Sequence, residues 1–315
     1  KYIADYFPGP DIYEHDLSSN ITQPPVAALG LEYLLKKNAD REWAKKQVAK
    51  IEKSHQFFYE NRDPLKKNLV AIVHPWESGM DNAVSWDRPL KNVSTVTKNE
   101  INRIDTKKVT DLSQRPSDDE YARYIHIVES LNQNDLKPTS FCVYDPMMTT
   151  VLALSEMALA NVCEKLEIET HAKERANKLV SSLESIQSPD GRSPYIDALT
   201  NKQYHSNTLA SLFPLLVTKD KEQAEAILKQ HLGEHGLSTH SLKDDSFDSR
   251  CYWRGPCWVN TNWFFKEKVT GLAEKTIKLI EKSGFYEYFD PITGEGLGSD
   301  NFTWSAALFL CLNDQ

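Results

Sequence analysis

The stretch His74-Pro75-Trp76-Glu77-Ser78-Gly79-Met80-Asp81-Asn82, followed by Trp86-Asp87, decides how the chain is read. It sets two tryptophans and three carboxylates within 14 positions and follows neither a helical nor a strand period. Charged groups are seldom buried without partners, so such a segment reads as a loop that carries a site. An indole face beside carboxylates suits a sugar, whose C–H face stacks on the ring while its hydroxyls bond to acids and amides. Gly79 gives the backbone access to conformations closed to other residues. The competing reading is a solvated turn pinned by one buried tryptophan, since surface loops carry acids too.

The rest of the composition narrows the partners. With 315 residues, 40% apolar and 26% charged, the chain has ample material for a core in one large domain or two modest ones. Its 37 basic and 45 acidic residues give a net charge of −8, and no basic tract stands out, which argues against a nucleic-acid partner. No apolar run approaches the length of a membrane span, so none is expected. Cys142, Cys163, Cys251, Cys257 and Cys311 are odd in number and scattered, and read as reduced core thiols of a cytoplasmic protein rather than as a disulfide framework. The sequons at Asn20, Asn92 and Asn301 are weak signals on their own.

Working outward, residues 1–22 read as irregular and Gln23-Pro24-Pro25 as the start of a helix to about Asn38, with Val26, Leu29 and Tyr33 on one face. Asp40 caps a second helix to about Asn61, whose apolar side takes Trp43, Val48, Ile51, Phe57 and Phe58. Residues 88–115 form a polar excursion of the kind that covers a site. Acids after Pro116 suit the positive end of a helix to about Asn132. Further helices are expected from Pro146 to about Leu166, over 169–186, 205–217, 220–232, from Trp258 to about 269, over 272–283 and over 302–312. About ten or eleven helices alternate between more apolar and more charged types, with little convincing strand. Aromatic and acidic residues collect in the loops between them. That rhythm suggests two concentric helical rings with a funnel at one end.

Glycoside hydrolysis needs a carboxylic acid to protonate the leaving oxygen and a carboxylate on the opposite face of the sugar. Two acidic loops flanked by aromatics are available. One holds Glu77, Asp81 and Asp87; the other is Phe285-Tyr286-Glu287-Tyr288-Phe289-Asp290-Pro291, continuing to Glu295. The alternation around Glu287 also fits a surface hairpin. Tyr252-Trp253-Arg254-Gly255-Pro256-Cys257-Trp258 adds a cation between indoles, suited either to sugar hydroxyls or to a core ion pair. His74 reads as structural more readily than as a base or metal ligand. His231, His235 and His240 read as solvated surface, and no metal is called for. A phosphate-cradling glycine loop and a nucleophile elbow are both missing.

The acid loop resembles the acid-bearing motif of glycoside hydrolase family 63, in the branch of mannosylglycerate and glucosylglycerate hydrolases, and more distantly that of family 37 trehalases. Residues 21–25, 252–263, 287–294 and 301–306 agree in order. The resemblance implies an all-α (α/α)6 barrel and an enzyme that inverts anomeric configuration without a cofactor. The family's general acid falls on Asp81 and its general base on Glu287, with Glu295 ranked second. Trp76, Glu77, Asn82, Gln23, Tyr252, Trp253, Arg254, Trp258, Asp145 and Trp304 are then expected to line the pocket of a small carbohydrate substrate. In the family a helix with a Trp-Asp motif precedes the Gln-Pro-Pro segment, and nothing here matches it. The expectation is therefore one barrel domain over residues 1–315 that lacks its first helices. The reading from another class is an inactive sugar-binding barrel. A sugar epimerase is disfavoured because His74 alone among the histidines lies in the central loop.

Overall fold

The computed structural model describes residues 21–96, 103, 106, 109 and 111–314. The stretch expected to be irregular up to Asn20, and part of the excursion expected over a site (97–102, 104, 105, 107, 108 and 110), lie outside those residues.

Capping chemistry places several helices where local sequence asks for them. α1 spans Ala27–Lys36 and α2 Arg41–Asn61, the latter begun by Asp40, whose carboxylate accepts the Trp43 amide at 2.7 Å. A one-turn α3, Asp87–Leu90, follows the acid loop. α4, Asp118–Gln133, opens with a reciprocal Ser117–Glu120 capping box and three acids in its first turn. α5 is Pro146–Leu166 and α6 Ala172–Ile186. The helix expected over 205–217 is instead a 3-10 turn, Leu209–Leu212, and a single turn, α7, Leu215–Thr218. Pro214 lies between the two and has no amide hydrogen to continue a ladder. α8 (Lys221–Leu228), α9 (Val259–Phe265), α10 (Leu272–Ser283) and α11 (Thr303–Asn313) complete the series.

The two rings separate by what they face. α1, α5, α9 and α11 all contribute side chains to one central cavity, as does Phe213, whereas α2, α6, α8 and α10 contribute none. α5 is long and apolar enough to cross a membrane, but 78% of its most apolar window is buried, so its apolarity is used in the core between α1 and α6. This is an (α/α)6-type helical barrel. Trp43 and Phe57, expected on the core face of α2, are 43% and 37% exposed. They flank the buried stripe of Val48, Ile51 and Phe58 rather than joining it.

A small antiparallel sheet was not expected. β1 (Ala71–Ile72), β2 (Val143–Tyr144), β3 (Tyr195–Asp197) and β4 (Lys202–Tyr204) pair in that order, with Ala71 opposite Tyr144 and Tyr144 opposite Ile196. It lies beneath the acid loop, because β1 runs directly into His74. A second pair, β5 (Tyr288–Phe289) and β6 (Gly296–Leu297), carries Glu287 at its edge.

Candidate active site

The acid loop is a wound turn rather than an open loop. Pro75–Ser78 form a 3-10 turn begun by His74 and ended by Gly79, which adopts φ 68°. That left-handed backbone strongly favours glycine and reverses the chain toward Asp81. His74 is fully buried: its Nδ1 accepts the Trp76 amide at 3.0 Å and its Nε2–H donates to the Tyr124 carbonyl at 3.0 Å. Burial pushes its imidazole down to about 3, so the ring is neutral and its role is to shape the turn. Ser78 Oγ donates to the Pro75 carbonyl and accepts the Met80 amide, while Trp86 Nε1–H donates to the Met80 carbonyl from behind. Tyr124 Oη–H donates to the Asp81 carbonyl at 2.8 Å.

Glu287 lines the same cavity as Asp81 and sits at the edge of the β5–β6 pair. Its oxygens receive both terminal nitrogens of Arg115, at 3.1 and 2.6 Å, and the Ser299 amide at 3.1 Å. Arg115 is 8% exposed and its guanidinium lies 4.8 Å from the centre of the Tyr252 ring. Gly298, at φ 72°, leaves room for the carboxylate, since a Cβ there would stand 2.6 Å from Glu287 Oε2. Asp81, Glu287, Arg115 and Tyr252 share a cavity of about 960 Å³. Tyr252 ionises only well above its usual range, because it is buried and because Asp81 and Glu287 both oppose a further negative charge.

Of the residues expected to line the pocket, Gln23, Trp76, Tyr252, Trp253 and Trp304 do so together with Asp81 and Glu287. Five others stand behind the wall. Glu77 is fully buried, its carboxylate taking Arg62 Nη2 at 2.7 Å and the amides of Thr22 and Val73, so its bonding capacity is spent inside the protein. Asn82 accepts the Trp253 amide at 3.0 Å. Arg254 makes a fork with Asp87, both bonds 2.8 Å. Trp258 stacks on the back of Trp253 at 3.7 Å and 5°. Asp145 caps α5 by accepting the Met147 amide, and burial raises its carboxyl to about 7. Glu295, the second choice for the base, pairs with exposed Arg250 and does not line the cavity. His231 and His240 are buried, with His231 Nδ1–H donating to the Ser238 carbonyl, and not the solvated surface expected of them.

Arg115, Tyr121 and Asn260 line the cavity and were not anticipated. Arg115 sits at the end of a polar excursion, 172 residues from the carboxylate it binds, so no local pattern marks it. Among the described residues the Trp253 indole N–H and the Asn260 side-chain oxygen have no partner, and they offer a donor and an acceptor to a ligand. All five cysteines are free thiols.

Comparison with known proteins agrees with this geometry. The mannosylglycerate hydrolase MGH1-like glycoside hydrolase domain matches residues 10–305. A mannosylglycerate hydrolase of Thermus thermophilus is 31% identical, over 97% of this chain and 81% of its own. The glucosylglycerate hydrolase of Mycolicibacterium hassiacum is 30% identical, over 98% of this chain and 80% of its own. The crystal structure of a family 63 mannosylglycerate hydrolase from Thermus thermophilus in complex with Tris superposes with a TM-score of 0.88 at 32% identity, covering 99% of this chain and 82% of that one. Two carboxylates lining one cavity of a helical barrel, a match along nearly the whole chain and these relatives together place the chain in the MGH1-like family of glycoside hydrolases, as an inverting α-glycoside hydrolase.

Proposed function

We propose that the chain hydrolyses an α-mannoside or α-glucoside of a small anionic aglycone of the glycerate kind, with Asp81 as general acid and Glu287 as general base. The carrying observation is that the two carboxylates share one cavity with a buried cation, Arg115, set directly on the base. An inverting reaction needs the carboxyl groups roughly 6.5–9.5 Å apart, with a water between the base and the anomeric carbon. In this reading the sugar ring stacks on Trp76 and takes a hydrogen bond from the Trp253 indole. Asp81 donates its proton to the glycosidic oxygen as that bond breaks. Glu287 accepts a proton from the water whose oxygen bonds to the anomeric carbon from the other face.

The Arg115 guanidinium bonds to both Glu287 oxygens. A carboxylate on the aglycone offers it a second planar partner, and this frees a Glu287 oxygen for the water. The names of the relatives, mannosylglycerate and glucosylglycerate hydrolases, point to the same class of aglycone. Residues 1–315 act in this reading as one catalytic domain. The reading is tested by sugar release from four substrates: the α-mannosyl and α-glucosyl derivatives of glycerate and of neutral glycerol. Preference for a glycerate glycoside supports it. Equal rates on both aglycones would remove the role given to Arg115, and release from none would remove the reaction.

A further inference from the structure

Three residues that do not line the cavity, Asn82, Asp87 and Arg254, join the acid loop to the 251–254 segment. Asn82, next to the proposed acid, binds two residues of the 251–254 segment. Its Oδ1 accepts the Trp253 amide at 3.0 Å and its Nδ2–H points at Cys251 Sγ at 3.6 Å. Arg254 Nη1 and Nη2 grip Asp87 at 2.8 Å each, and Nη1 also reaches the Asn82 carbonyl at 3.3 Å. From the other side Trp258 Nε1–H donates to the Tyr252 carbonyl at 3.0 Å. Every residue from Cys251 to Arg254 is thus tied down by a side chain from elsewhere or by its own.

Between these ties stands Tyr252, with φ 39°. A bulky residue in left-handed backbone is strained, and such strain persists only where the surroundings over-determine it. Here it turns the Tyr252 ring into the cavity, where the ring meets the Arg115 guanidinium and feels the charge of both Asp81 and Glu287. Relaxation of this backbone would withdraw the ring from the cavity it shares with Asp81 and Glu287.

We infer that Asn82, Asp87 and Arg254 form a clamp that holds Tyr252 in its strained conformation, and that they are positioning residues for the reaction. Arg254, with its charge committed to Asp87, then acts on catalysis through Tyr252 and the acid loop and not by touching sugar. Small displacements of groups around a reacting centre cost disproportionately in rate, so the clamp affects turnover more than binding. This rests on the proposed roles of Asp81 and Glu287, but its structural part can be tested separately.

The test combines the kinetics of Arg254→Gln, Asp87→Asn and the double variant with a crystal structure of Arg254→Gln. Each single change lowers kcat by about tenfold or more with KM within about threefold, and the double variant is no worse than the poorer single one. In the variant structure the Tyr252 backbone leaves the left-handed region. Unchanged kcat with reduced thermal stability, losses that multiply in the double variant, or a Tyr252 that keeps its positive φ would each overturn the clamp. Should Arg254→Gln fail to fold, Arg254→Lys keeps the charge without the fork. It must show the same fall in kcat at near-constant KM, and wild-type turnover would refute the clamp. If wild-type protein releases no sugar at all, the proposed function fails while the Tyr252 backbone still decides the clamp.

Discussion

Residues 74–87 hold Asp81 largely from within: His74 braces Trp76, Ser78 bonds to Pro75 and Met80, and Trp86 closes on Met80. Residues 285–299 hold Glu287 differently. Its short hairpin supplies the Ser299 amide and the space at Gly298, but the partner that fixes both oxygens is Arg115, far away in sequence. One carboxylate is therefore placed by a turn with many bonds of its own, braced by Tyr124 and the 251–254 segment, and the other chiefly by a single distant cation that reaches it only once the barrel has closed. The contrast separates two kinds of dependence. Loss of the buried anchor at Glu77 should register mainly as lost stability, and loss of Arg115 on the base side as lost turnover.

The largest effect is expected at Glu77, the anchor of the acid turn. Breaking a buried pair by removing one charge typically costs about 3–5 kcal/mol, and Glu77→Gln removes the charge that Arg62 Nη2 meets at 2.7 Å. Chemical denaturation should show a loss of that order, and a loss under about 1 kcal/mol would mean the turn does not depend on this anchor.

Asp145 sharpens the comparison from beneath the same turn, since its amide donates to the Val70 carbonyl just before β1. Burial outweighs its bonds to the Met147 and Met148 amides and raises the folded carboxyl from 3.8 to about 7. A group raised on folding adds stability below its unfolded value and loses that contribution as pH climbs through its folded value. This carboxyl should therefore cost stability between about pH 4 and pH 7, on the order of 4 kcal/mol in all, and Asp145→Asn should flatten that slope. A slope unchanged by the substitution would show that the carboxyl ionises freely in place.

On the base side, Arg115→Gln should lower kcat/KM for a glycerate glycoside by about a hundredfold, roughly 2.7 kcal/mol of transition-state binding, with a much smaller change for the glycerol analogue. Equal losses on both would make Arg115 a support for Glu287 alone. The smallest effect is expected at the hairpin tip: Glu295→Gln removes an exposed pair with Arg250 and should leave turnover within about twofold. A large loss there would reassign the base.

The same contrast explains what could be read from sequence. Asp40, Ser117 with Glu120, and Gly79 announce local structure, and the structure uses each as its chemistry suggests. The sheet escaped notice because its strands are two or three residues long and pair across gaps of about seventy and fifty residues. Acids and indoles identify a site by type but not by direction. Trp76 and Trp253 line the cavity, whereas Glu77 and Trp258, equally conspicuous in sequence, support it from behind. The direction of a side chain depends on long-range partners such as Arg62 for Glu77 and Asp87 for Arg254, and neither is signalled by spacing. His231 and His240 were misread for the same reason: a polar neighbourhood in sequence became a buried one in space.

The central claim is that Asp81 and Glu287 are the acid and base of one inverting reaction. Its most direct test is an NMR time course of the first-formed anomer from α-mannosylglycerate and α-glucosylglycerate, with wild-type protein, Asp81→Asn and Glu287→Gln. The account predicts β-sugar from the wild type and a loss of about a thousandfold or more in both variants, with sugar binding retained. First-formed α-sugar, or an undiminished rate in either variant, would contradict it.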